Sequence, residues 1–326
     1  MKDSRSDHLA CNWPLDGISF PVGVRRFESC PLHQQLRSES PPQPFKISQH
    51  TRNMSCIYDY EQRLRRYKHQ IEQLGNSEMA LRFLNHLDAQ GLTVAGLSKY
   101  AGHMISLLRA IDFDLEKIRR EDAERVVVWI NSQPYRESTK YGKKLVLRRL
   151  VQYAKCGRCD RETPFPDEVK WIKLRVNDKD LRATPESLLT PQDFAAIVKA
   201  TENTRDRALI HVLCEGALRP GELLTMTVDS VVFKDDHCLI AVNGKTGIKR
   251  IPLIVAYKPL LLWLADHPKR DNPEAPLWSS LANNHKGDRL SYQHFRLIIK
   301  KLARKAGLKK DIWPYLYRHT TLTAMA

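Results

Sequence analysis

Apolar and polar positions follow different rules in successive parts of the chain. Residues 1–53 have no sustained period. Pro14, Pro21, Pro31, Pro41, Pro42 and Pro44 interrupt them, and the segment is expected to be disordered or not part of the working protein. From Tyr58 a helical period sets in. Residues 58–75 are strongly charged. Residues 77–90 carry Met79, Leu81, Phe83, Leu84 and Leu87 at helical spacing, and 94–111, 120–132 and 138–155 continue the pattern. Short connections make this a small helical bundle over 54–155. Residues 156–189, with Pro164, Pro166 and Pro185, read as a linker.

A second domain, 190–326, opens on Thr190-Pro191, an N-cap threonine followed by proline at the first helical position. Helices are expected at 191–201, 204–215 and from Pro220. Strands follow at 230–234, 238–242 and 249–253, with turns at Asp235-Asp236 and at 244–247, then helices at 260–267, 292–307 and 316–326. The fold class is therefore mainly α with a small antiparallel β-sheet: an N-terminal helical bundle, then an α+β domain.

Composition narrows the partners. A formal net charge of +16 over 326 residues points to a polyanion, DNA or RNA. No apolar run is long enough to cross a bilayer, and Asp3, Asp7 and Pro14 break any signal-peptide core, so a cytoplasmic protein without a membrane partner is expected. Seven cysteines, an odd number, argue against a disulfide framework. Cys156-Gly-Arg-Cys159 has no second pair at zinc spacing and reads as a turn with incidental thiols; no metal and no cofactor are expected.

Three motifs stand in order in the second domain: Gly216-Ala217-Leu218-Arg219-Pro220-Gly221-Glu222-Leu223; Gly244-Lys245-Thr246-Gly247 with Arg250-Ile251-Pro252-Leu253; and Pro314-Tyr315-Leu316-Tyr317-Arg318-His319-Thr320. Residues 58–326 resemble the tyrosine recombinases, or phage integrases, and Arg63–Lys68, Trp129-Ile130, Trp171-Ile172-Lys173 and Asp206-Arg207-Ala208-Leu209 are similar to archaeal integrases. The resemblance implies a helical core-binding (SAM-like) domain and a catalytic domain closing as a C-shaped clamp on DNA. It implies site-specific strand cleavage and rejoining through a phosphotyrosine intermediate, by tetramers on paired sites.

The chemistry suits the residues. A phosphodiester under attack gathers negative charge on its non-bridging oxygens, which arginines hold bidentately; Arg219 and Arg318 fit that role, though each can instead serve a carboxylate, for Arg219 the one on Glu222. Lys245, between two glycines, can protonate the leaving 5′ oxygen. Tyr315 stands where the family has histidine and can donate a hydrogen bond but transfers protons less readily near neutrality. His319 is expected to buttress rather than react. Arg63, Arg65, Arg66, Lys68, Lys140, Lys143, Lys144 and Arg148 are the candidate DNA contacts of the helical domain, some of them simply solvated helix faces.

The family's nucleophile is a tyrosine some tens of residues beyond the Arg-His-Thr motif. Here the last tyrosine is Tyr317, beside Arg318 itself, so the chain is expected to lack the nucleophile and to be C-terminally truncated. A catalytically inactive DNA-binding remnant is the alternative. Back-translation of residues 25–34 permits two complementary strands around a loop matching a transfer RNA T arm, then an acceptor strand and CCA. Unless this is coincidence of chosen codons, an attachment site overlaps the 3′ end of a tRNA gene and Met54 is the true start.

Overall fold

The computed structural model describes residues 55–175, 184–244 and 247–326, with side chains from residue 57 onward. Segment 1–53, Lys245 and Thr246 therefore lie outside the described residues. Contacts divide the chain into two compact units, Tyr58–Arg182 and a second running from Ala183 to Ala326.

The first unit is all helical: α1 (Tyr60–Glu72), α2 (Ser77–Ala89), α3 (Val94–Leu108), α4 (Arg120–Ser132) and α5 (Glu137–Cys156). Their apolar stripes meet in one core that includes Phe83, Leu84, Leu87, Met104, Leu107, Leu147 and Leu150. Local chemistry sets the joints. Thr93 caps α3 by accepting from the Gly96 amide at 3.3 Å. Asn76 binds Phe113 O and the Leu115 amide, at 2.9 and 3.0 Å, tying the α1–α2 turn to the chain beyond α3. Residues 156–175, read above as linker, contribute Cys159, Val169 and Ile172 to the same core.

The Cys159 region is held by polar contacts. Arg149 on α5 donates to Cys159 Sγ and O, at 3.0 and 3.1 Å, and to Tyr100 Oη at 3.0 Å, while the Cys159 amide donates to His86 Nε2 at 3.2 Å. The thiol is a packing element, pushed up by burial despite the guanidinium beside it.

The second unit opens on α6 (Pro191–Lys199). Thr190 accepts from the Asp193 amide at 3.1 Å and Asp193 returns a bond from the Thr190 amide at 2.8 Å. Helix α7 (Thr204–Glu215) and short α8 (Pro220–Leu224) precede an antiparallel sheet, β1 (Val231–Phe233), β2 (Cys238–Gly244) and β3 (Gly247–Leu253), in the order β1-β2-β3. The register pairs Ile240 with Ile251 and Gly244 with Gly247. Helices α9 (Tyr257–Asp266), α10 (Tyr292–Lys305) and α11 (Pro314–Met325) complete the unit. Leu209, Leu213, Trp263, Trp278, Phe295 and Tyr317 fill its interior. The fold is mostly helical with one small sheet, as the hydrophobic pattern anticipates. Among the described residues no helix is long and apolar enough to cross a membrane.

Candidate active site

The loop between α7 and α8 carries the first arginine. Pro220 starts α8, which makes Arg219 its N-cap. The Arg219 amide donates to Glu222 Oε2 at 2.9 Å and its guanidinium donates to Oε1 at 2.8 Å, so one carboxylate fixes both ends of the residue. The Arg219 side chain stays 38% exposed while Glu222 is only 3% exposed. The arginine is thus held from below and open above, as a group that meets an external anion must be.

The hairpin converges on the same carboxylate. Lys249 Nζ on β3 lies 3.3 Å from Glu222 Oε1. Gly244, the last residue of β2, packs so closely that a Cβ there would fall 2.4 Å from that oxygen. Burial pushes the Glu222 carboxyl up, but Arg219 and Lys249 outweigh it and hold the group below the usual glutamate range. Glu222 therefore seats the start of α8 and the two strands that flank Lys245. Lys245 itself lies outside the described residues.

The second arginine arrives on α11. Leu316, Tyr317, Thr320 and Thr321 face inward, whereas Tyr315 and His319 are exposed and Arg318 is half-buried. Thr321 Oγ1 donates to Cys214 O at 2.8 Å, and Thr320 Oγ1 accepts from the Leu189 amide at 3.0 Å, which docks the helix on the end of α7 and the chain before α6. In that position the Arg318 guanidinium donates to Ala217 O. Ala217 has φ 44°, a left-handed conformation unusual for a residue with a Cβ. Its carbonyl is thereby aimed at a guanidinium that belongs to an element a hundred residues away. The structure brings Arg318 to the loop that carries Arg219.

Tyr315 and His319 share the open face of α11, one helical turn apart. Neither its hydroxyl nor that imidazole has a hydrogen-bond partner among the described residues. Tyr317 points the other way. It is fully buried, its hydroxyl has no partner, and burial pushes the phenol well above its ordinary range.

The candidate DNA contacts of the helical unit fall into different environments. Arg65 and Arg66 are exposed, Arg65 4.0 Å from Glu61 and Arg66 5.7 Å from the centre of the Tyr67 ring. Arg63 lies over Tyr60 at 5.5 Å, and Lys68 is half-buried on the same helix. Lys140 pairs with Glu137 at 3.0 Å, and Lys144 is half-buried. Arg148 lies 3.9 Å over the Phe165 ring with its Nε buried and unpartnered. Lys143 is 4% exposed and turned inward.

Two positioning residues escape a linear reading. Lys249 finds Glu222 only because the hairpin folds back. Glu215, at the end of α7, accepts from the amides of Ile254, Val255 and Ala256 at 2.7, 3.0 and 2.7 Å, locking the exit of β3 to the helix that leads into the Arg219 loop. Among the described residues no His, Cys, Asp and Glu cluster suited to a metal ion occurs.

Residues 187–326 match the phage integrase family. A tyrosine recombinase of Synechococcus elongatus is 30% identical over 184 residues, 55% of each chain. Tyrosine recombinase XerA of Pyrococcus horikoshii is 29% identical over 181 residues, 56% of this chain and 58% of that protein. The chain thus spans a little over half the length of these two relatives. In fold, it is similar to XerH site-specific recombinase bound to a palindromic difH substrate, with TM-score 0.56 and 18% identity over 87% of this chain and 88% of that one. It is likewise similar to a lambda integrase tetramer bound to a Holliday junction, with TM-score 0.56 and 16% identity over 76% of this chain and 71% of that one. Residues 187–326 thus match the phage integrase family, and over a little more than half its length the chain is similar to tyrosine recombinases.

Proposed function

We propose that this chain binds double-stranded DNA and holds one phosphodiester in a site-specific recombination site. The observation that carries the reading is the convergence of Arg219 and Arg318 on one loop, both still accessible at the surface of the unit. Two guanidiniums can each take a non-bridging oxygen of the phosphate and oppose the charge that grows there during displacement. Tyr315 adds a hydroxyl donor on the same helix face, with His319 beside it. Lys245, between the strands that Glu222 seats, delivers the proton to the departing 5′ oxygen. In the full reaction a tyrosine oxygen attacks phosphorus, the 5′ oxygen leaves with that proton, and a 3′-phosphotyrosyl bond stores the energy for rejoining. Tyr317 is not that tyrosine.

A second reading is favoured by that burial: residues 1–326 grip and orient DNA without cutting it, since the Tyr317 hydroxyl is enclosed and unpartnered. The partner in either reading is duplex DNA, with self-association as a tetramer on paired sites and an attachment site at the 3′ end of a tRNA gene. One experiment separates the readings. The chain is incubated with a nicked duplex that traps a covalent adduct, and binding is followed in parallel. A denaturant-resistant adduct supports the enzyme. Binding that weakens in the Arg219→Ala, Arg318→Ala double variant without any adduct supports the DNA-holding reading. Absence of DNA affinity overturns both.

A further inference from the structure

The helix that carries Arg318 is seated on the first residues of its own unit. The Leu189 amide donates to Thr320 Oγ1 on α11 at 3.0 Å, and both residues are buried, so the bond is made away from water. Lys310, four residues ahead of α11, reaches the same stretch of chain. Its ammonium donates to Leu188 O at 2.9 Å and to Asp193 Oδ2 at 2.7 Å. Asp193 Oδ2 also accepts from the Thr190 amide at 2.8 Å. Burial pushes the Asp193 carboxyl up, but Lys310 and Thr190 outweigh it and hold the group below the usual aspartate range. Residues 188–193 therefore hold α11 at two places, through Lys310 just before its start and through Thr320 within it.

The two anchors bear on Arg318 through the geometry of the helix. Arg318 and Thr320 are two residues apart, so they leave α11 about 200° apart, nearly back to back. Thr320 turns to Leu189, and Arg318 turns to the Ala217 carbonyl of the loop that carries Arg219. Thr321, next along, donates to Cys214 O at 2.8 Å. One threonine thus fixes the helix to the entering chain and the other fixes it to α7, and together they set its rotation about its own axis. A guanidinium at roughly 8 Å from a helix axis shifts by about 1.4 Å for a roll of about 10°, enough to spoil a well-placed contact.

We propose that Thr320 and Lys310 are positioning residues for Arg318: through Leu188, Leu189 and Asp193 they set the angle at which α11 presents that guanidinium to a DNA phosphate. The proposal rests on the reading that Arg318 holds a phosphate. Neither residue touches the phosphate; each acts through the helix. The stretch they grip is also among the first residues of the unit, which begins at Ala183. The chain that arrives from the helical unit is therefore the one on which the arginine helix is seated.

The test is a double-mutant cycle on the full chain, built from Thr320→Val and Arg318→Ala. Valine keeps the branched shape of threonine and removes the acceptor. Affinity for a short DNA duplex is measured at low salt and below the unfolding range of every variant. Thr320→Val is expected to lower affinity about fivefold when Arg318 is present and less than about twofold when it is alanine, because what is lost is the placing of that guanidinium. Thr320→Ser, which keeps the hydroxyl, should bind as the parent does. A packing role for Thr320 gives equal losses in both backgrounds; that result, or no loss in either, overturns the proposal. If Thr320→Val does not fold, the same cycle is run with Lys310→Met, at a half-buried position, and the same outcomes decide. Should Arg318→Ala alone leave affinity unchanged, the phosphate-holding reading fails and the inference with it. If Arg318→Ala weakens binding and neither anchor variant does, only the inference fails.

Discussion

The Arg318 guanidinium donates to the carbonyl of Ala217, two residues ahead of Arg219. This bond spans the unit from its last helix to the α7–α8 loop and ties the placement of Arg318 to the loop that carries Arg219. Arg318→Ala should therefore act twice. It removes the proposed phosphate ligand, and it leaves the buried Ala217 with an unsatisfied carbonyl, a penalty of about 1–2 kcal/mol. Urea unfolding should show the stability loss in the absence of DNA. An unchanged midpoint would mean that the two arginines are positioned independently.

Glu222→Gln should loosen both Arg219 and Lys249. Arg219 and Lys249 are each about a third solvent-exposed, so screening reduces what the charge contributes, and the expected loss is about 2 kcal/mol. The pH dependence has a definite sign. The folded Glu222 carboxyl titrates below its usual range, so its contribution is present above the unfolded value of about 4.3 and fades as pH falls through the lower folded value. Parent and variant stabilities should approach each other in acid; curves that stay parallel would contradict the role given to this carboxylate.

His211 offers a second acid-sensitive element. Its Nδ1 is buried without a partner, its ring meets Phe194 edge-on at 5.4 Å, and burial with nearby Arg207 brings it down to about 4. Folding favours the neutral ring. The stability tied to it is complete above the unfolded value of about 6.5 and is lost as pH drops from there toward 4, by an amount on the order of 3 kcal/mol. His211→Leu should flatten the fall of stability between those pH values. Calorimetry at neutral and mildly acidic pH would detect it.

Tyr317→Phe deletes a fully buried hydroxyl with no hydrogen-bond partner. Removing it should leave stability unchanged or raise it by about 1 kcal/mol, with no loss of DNA affinity. A variant that bound DNA as the parent does but lost a covalent adduct seen with the parent would restore Tyr317 as a nucleophile.

Periodicity locates the helices well wherever an apolar stripe is long. Residues 120–132 are helical as read, and Thr190-Pro191 begins a helix because capping and proline geometry are local properties. The hairpin strands are also legible, although Gly247–Leu253 starts two residues earlier than its β-branched residues suggest, because the Gly244–Gly247 pair closes the ladder. Residues 156–175 read as linker because Cys159, Val169 and Ile172 are spaced without a period, and only packing shows them in a core.

Sequence alone determined the element types and the excess of positive charge, since each depends on residue type and short-range spacing. The tertiary structure decided which charges face outward. Lys143 and Arg65 are alike in composition, but one is enclosed between α3 and α5 and the other is in water. It also decided that Glu222 serves three neighbours, two of them on a hairpin more than twenty residues away, and that Ala217 turns its carbonyl to Arg318. Such relationships arise when distant segments are brought within hydrogen-bonding distance by burial of their apolar faces, and no local pattern encodes them.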